Sequence, residues 1–84
     1  MNLKIQKDLA YRRIAGEVFI VDAAKAEMHE LNGAAALIWE GLAAGRNEER
    51  IVASIVDEFE VDAKTARADL DSFTGELLKA GLLK

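Results

Sequence analysis

The sequence predicts an α+β domain, a three-stranded antiparallel sheet followed by three helices packed on it. Three observations carry that prediction. Val18-Phe19-Ile20-Val21 is a β-branched and aromatic run, apolar on both faces, as a central strand requires. From Asn32 onward the apolar residues stop alternating and recur at helical spacing. Asn32, Asn47 and Asp62 each stand just ahead of one of three apolar stripes, where a side-chain oxygen can take an orphan amide of the first helical turn. Strands first and helices after is the α+β order.

Residues 1–10 fit a short strand near Leu3–Gln6 or a frayed arm. Tyr11–Ala15 and Glu17–Asp22 flank Gly16 as a hairpin. After a turn at Asp22–Ala26 the third strand is expected over Ala26–Leu31. There Met28 and Glu30 point one way and His29 and Leu31 the other. This strand is half polar, which suits an edge with free backbone groups. Asn32 should cap the first helix, with Leu31 and Ala36 stapling its entry. Ala34, Ala35, Ile38 and Leu42 form its apolar face, with Trp39 on the flank, and Gly45 should end it. The second helix, capped by Asn47, carries Ile51, Val52, Ile55, Val56 and Phe59. The third, capped by Asp62, carries Ala66, Leu70, Phe73 and Leu77. Gly81 should close it, with Leu82 and Leu83 folding back on the core. Three short helices with tight connections resemble a helix-turn-helix core carrying an N-terminal sheet.

The 84 residues fit a single domain spanning 1–84. There is no cysteine, which excludes disulfides, thiolate catalysis and zinc-thiolate sites. The longest apolar run, Gly33–Trp39, is far too short to span a bilayer. The N-terminus has no signal-peptide hydrophobic region, so a cytoplasmic protein without membrane contact is expected. Net charge is −4, which disfavours nucleic acid as a partner. The charge is uneven: Lys4, Lys7, Arg12 and Arg13 dominate the start, and nine acids stand against four bases between Asn47 and Lys79. Such runs are ordinarily solvated faces.

His29 is the sole histidine, and no serine or cysteine nucleophile lies near it, so a structural or surface role outweighs a catalytic one. No spacing supplies three or four metal ligands, and the acids of Asp57–Asp62 lack a calcium loop's alternation and central glycine. Asp69 and Asp71 diverge on a helix. Gly41 and Gly45 match a dimerisation spacing, but outside a membrane they are better read as helix-end packing. No cofactor, metal or enzyme activity is expected. Two binding readings remain. One is DNA recognition by a helix-turn-helix whose third helix offers Lys64, Arg67 and Lys79 among Asp69, Asp71 and Glu76. The other, favoured modestly, is β-augmentation, with an extended peptide adding to the edge of the Ala26–Leu31 strand beside the third helix. The same exposed edge, pairing with itself, would allow a homodimer.

The run Gly-Glu-Val-Phe-Ile-Val-Asp, then His29-Glu30-Leu31-Asn32, Ala35 and Ile38-Trp39, resembles the PqqD family. Val61, Asp69, Leu70, Phe73 and Leu77, and the closing Gly81-Leu82-Leu83, extend the likeness over residues 11–83. This is the family of small peptide chaperones, also called recognition elements of ribosomally made, modified peptides. The resemblance implies a three-stranded antiparallel sheet packed on a winged-helix-like three-helix bundle, and no catalysis. It implies capture of a precursor's leader segment and presentation to a modifying enzyme, often a radical S-adenosylmethionine maturase. It implies pairing of the leader with the third strand, here Glu27, Met28, His29, Glu30 and Leu31, against the third helix. The helical wheel adds Arg67, Leu70, Asp71 and Thr74, and leaves the opposite flank with Asp69 and Glu76 open. Members dedicated to pyrroloquinoline quinone carry Pro-Glu-Gly before the third strand and Asp-Gly before the second helix. Here those places hold Ala24-Lys25-Ala26 and Ala44-Gly45, so the resemblance points to a different peptide-modification pathway.

Overall fold

The computed structural model describes residues 3–84. Three strands, β1 (Leu9–Ile14), β2 (Glu17–Asp22) and β3 (Glu27–Leu31), precede three helices, α1 (Gly33–Ala43), α2 (Glu48–Phe59) and α3 (Ala63–Lys79). The sheet is antiparallel in the order β1-β2-β3, so the doubly apolar β2 is central and both neighbours are edges. Ala15 and Gly16 make the first turn at φ 52° and 83°. A two-residue turn with both φ positive is the twist-matched hairpin connection.

That turn fixes which backbone groups are free. It makes Ile14 and Glu17 a hydrogen-bonded pair, so Glu17, Phe19 and Val21 bond towards β1 and Val18, Ile20 and Asp22 towards β3. The β3 partners of those last three are Leu31, His29 and Glu27. The N–H and C=O groups of Met28 and Glu30 therefore lie along the open edge of β3.

Side chains follow the same alternation. Val18, Ile20 and Asp22 are buried against the helices, while Val21 is exposed and Phe19 half-buried on the outer face. Two clusters meet beneath the sheet. Val18, Ile20, Ala36, Trp39, Leu77, Leu82 and Leu83 join the sheet to α1 and the chain end. Ile38, Ile51, Val52, Ile55, Ala66 and Leu70 join the three helices, and Leu42 and Phe73 pack against both clusters. Trp39 is fully buried, with Tyr11 edge-on to its ring at 5.7 Å.

Several elements depart from expectation. β1 starts at Leu9, because the turn just ahead of it is set by Asp8 at φ 64°. The segment around Leu3–Gln6 neither frays nor joins the sheet. Ile5 bridges Leu83, and Lys4 and Gln6 bond the backbone of Lys84 and Leu82. Asn32 sits at the start of α1, but its side chain makes no cap hydrogen bond. Gly33, the next residue, is left-handed at φ 56°, which is not the helical geometry that a cap needs at the first position. Ala36 and Trp39 take the core face of α1, and Ala34 and Ala35 are only half-buried. Thr74 is buried on α3 although it lay off the apolar stripe.

Gly41 is a close-approach residue. A Cβ there would lie 2.8 Å from Ile51 Cγ1, so α1 and α2 touch at this point. Gly41→Ala is expected to cost about 1–3 kcal/mol through overpacking, read as a lower urea midpoint at unchanged slope.

Asn47 and Asp62 do cap, accepting from the amides of Arg50 at 2.9 Å and Thr65 at 2.7 Å. The Thr65 amide, helped by its hydroxyl, holds the Asp62 carboxyl below its usual 3.8. A pKa lower in the folded state stabilises the fold fully above the ordinary value. That stabilisation is lost as pH falls through the depressed folded value. Asp62→Asn keeps an acceptor but no charge, so its melting temperature is expected to fall less steeply than the parent's between about pH 5 and 2.

Candidate functional site

The open edge of β3 and the helix α3 are tied at one end. Lys25, in the turn that starts β3, donates from Nζ to the carbonyl of Ala80, just past α3, at 3.1 Å. A cation there suits the negative end of the helix. The turn itself is held by Asp22, whose carboxylate accepts the Lys25 amide at 3.3 Å. The beginning of β3 thus lies within one lysine's reach of the end of α3. Away from this tie the two elements are not packed backbone to backbone as α1 is beneath β2.

Along β3, Met28 and Glu30 present their side chains to the outer face and their backbone groups to the edge. Met28 is 68% exposed. His29 and Leu31 face the helices, sharing rows with Ile20 and Val18. Leu31 packs against the sheet cluster. The His29 ring is part-exposed, yet its Nε2 is enclosed and has no hydrogen-bond partner among the described residues. Glu27 Oε1 stands 3.9 Å away, beyond hydrogen-bond reach.

On α3 the four residues named from the wheel separate. Leu70 is fully buried among Ile38, Ile51, Ile55 and Ala66, so it has no surface to offer a peptide. Thr74 is also buried, and its hydroxyl donates to the Asp71 carbonyl at 3.1 Å. Arg67 turns to α2, where its guanidinium donates to Glu48 at 2.7 Å and Glu49 at 2.8 Å. Glu49 and then Glu48 hold Arg67 even more firmly charged than usual. Only Asp71 is openly exposed. The wheel located the buried side of α3 but not which neighbour covers each part of it. Sequence reasoning missed Lys25, whose partner is 55 residues away. It also passed over Leu78, an exposed apolar residue near the tied end of α3. An unpaired leucine on a helix flank was the available signal.

Two cavities lie elsewhere. One of about 250 Å³ is lined by Arg13, Leu37, Glu40, Arg46 and Glu58, with Arg13 ion-paired to Glu40. The other, about 320 Å³, is a shallow apolar depression on the outer sheet face around Ala10, Ile14, Phe19 and Val21. Among the described residues no group of His, Asp and Glu could hold a metal ion, and no helix is long and apolar enough to cross a membrane.

The fold has counterparts among solved structures. A structure described as TbiB1 in complex with the TbiA(beta) leader peptide superposes with a TM-score of 0.89. It is 30% identical, over 96% of this chain and 94% of that one. A lasso peptide synthetase B1 complexed with its leader peptide also gives 0.89, at 20% identity, over 100% of this chain and 99% of that one, and it shares the fold. No curated protein matches the chain. The family model for coenzyme PQQ synthesis protein D matches residues 17–83, which take in β2, β3, all three helices and the closing turn. With the central strand, the open edge and the whole helical layer inside that match, the chain belongs to the PqqD family.

Proposed function

We propose that this protein is a non-catalytic peptide-binding adaptor. It captures the leader segment of a ribosomally made precursor as a fourth strand on β3 and presents it to a peptide-modifying enzyme, such as a radical S-adenosylmethionine maturase, in the cytoplasm. The observation that carries this reading is the free edge of β3, where the N–H and C=O groups of Met28 and Glu30 await a partner strand. The 30%-identical TbiB1, solved with a leader peptide, supports the same reading. Edge strands are ordinarily blunted against stray pairing. Here β1 carries Arg12 and Arg13 side by side, while β3 alternates an exposed Met28 between acids.

His29 is assigned to the groove wall. The ring is part-exposed while its Nε2 is enclosed and unpaired among the described residues, so a turn of the ring is needed to bring that nitrogen to a peptide group. Pairing it would then remove an unsatisfied polar atom, a gain of about 1–3 kcal/mol. Glu27, His29 and Leu31 would then read alternate side chains of the leader, and Asp71 and Leu78 would line the helix side. DNA recognition would rest on Lys64, Arg67 and Lys79, and Arg67 is already committed to Glu48 and Glu49.

Amide-shift mapping tests the reading. The probes are the TbiA(beta) leader peptide and leaders of precursors encoded beside this chain's own gene. The largest shifts are expected at Met28–Leu31 and the second half of α3. His29→Phe should keep the fold and weaken the interaction by roughly five- to a hundredfold. Shifts confined to β1, or none with any of these leaders, would refute the assignment to β3.

A further inference from the structure

The outer face of the sheet is left bare by the three helices, and its side chains form an ordered pattern. Register places Arg12, Phe19 and Glu30 in one row across β1, β2 and β3, and Ala10, Val21 and Met28 in the next. Val21, Met28 and Ile14 are among the most exposed large apolar residues described. Arg12 has no ion-pair partner among the described residues. Glu30 lies beside Glu17, and by hydrogen bonding and repulsion it holds the Glu17 carboxyl above its usual 4.5. One end of the row is therefore an unpaired cation, and the other is an acid crowded by Glu17 of the neighbouring row.

We infer that this face binds a second copy of the chain, sheet to sheet, about a two-fold axis running along β2. Such an axis keeps each row at its own height and exchanges β1 with β3. Arg12 of the second copy then falls over Glu30 and the neighbouring Glu17. Phe19 meets Phe19 and Glu17 meets Glu17 on the axis, and the small Ala10 of one copy faces the long Met28 of the other. An in-plane axis across the strands would instead set Arg12 over Arg12 and Glu30 over Glu30. Two Arg12–Glu30 pairs against a single Glu17 self-contact, with the fit of Ala10 to Met28, select the first arrangement, and stacked sheets pack with their strands within about 30° of each other. A self-complementary patch of this kind is what a two-fold dimer needs. The arrangement uses the face of β3 and not its edge, so it stands independently of the peptide reading.

Three strands at about 4.8 Å spacing and some 20 Å long make a small footprint. Small interfaces hold weakly, so association is expected at roughly 0.1–1 mM protein. Sedimentation equilibrium over that range, with far-ultraviolet circular dichroism to confirm folding, tests the inference. The parent should shift from monomer to dimer. Arg12→Glu should weaken the dimer at least about tenfold, and Arg12→Glu with Glu30→Arg should restore it, because the swap regenerates both cross-copy pairs. Phe19→Asp supplies a second, apolar test with the same expected loss. A parent that stays monomeric throughout the range overturns the inference, whether another partner covers the face or none does. So does a dimer that Arg12→Glu and Phe19→Asp leave unchanged.

Discussion

Glu30→Pro is expected to lower affinity for the leader by well over tenfold while leaving the domain folded. The amide of Glu30 lies on the open side of β3, so proline removes no bond to β2. It does remove a donor an incoming strand needs, and its ring stands in that strand's path. The one lost hydrogen bond, at about 1 kcal/mol, corresponds to roughly a fivefold change, and the steric block carries the loss past tenfold. Proline at His29, whose amide faces Ile20, should instead break the sheet. Calorimetric titration with the leader, beside a thermal melt of each variant, separates the two outcomes. A folded Glu30→Pro protein with parental affinity would show that the peptide does not use this edge.

Leu70→Ala should act through stability. The side chain is fully enclosed by residues of α1, α2 and α3. Its truncation leaves a cavity costing about 2–5 kcal/mol. A chain of this size has about 4–12 kcal/mol in total, so the melting temperature should fall by roughly 10 °C or more. Leader affinity measured well below that melt should stay within about twofold of the parent, since the side chain has no surface on the groove. A variant that melts like the parent but binds poorly would place Leu70 in the groove after all.

The contrast between these two substitutions shows what the sequence could convey. Alternation along β3 separated His29 and Leu31 from Met28 and Glu30, because a strand has one period, but it did not say which pair faces the helices. The β-branched run of β2 made it central. On α3 the spacing of Ala66, Leu70 and Leu77 gave the buried side. It did not say that α2 and α1 cover the first half of the helix while the sheet cluster covers the second. Leu70 and Arg67 were therefore read as groove residues when they face helices. Arg67 meets glutamates 18 and 19 positions away, and Lys25 meets a carbonyl 55 away, distances at which local spacing is silent. Asn32 had the right chemistry for a cap, but the left-handed turn at Gly33 decided the geometry. The resemblance to PqqD filled part of this gap, placing the third strand and third helix together where wheel and alternation treat each element alone.

The short bridge between the two chain ends carries a further consequence. Lys4 and Lys84 exchange backbone hydrogen bonds at 2.9 and 2.8 Å, and Ile5 faces Leu83. Leu82 and Leu83 follow directly on the helix end that Lys25 holds. Anything joined ahead of Leu3 or behind Lys84 therefore leaves from a single corner of the domain. A fused enzyme would be tethered at nearly the same point whichever end carried it. Ends this close also suit circular permutation. The natural place to reopen the chain is the exposed Ala15–Gly16 turn, which leaves the edge of β3 untouched.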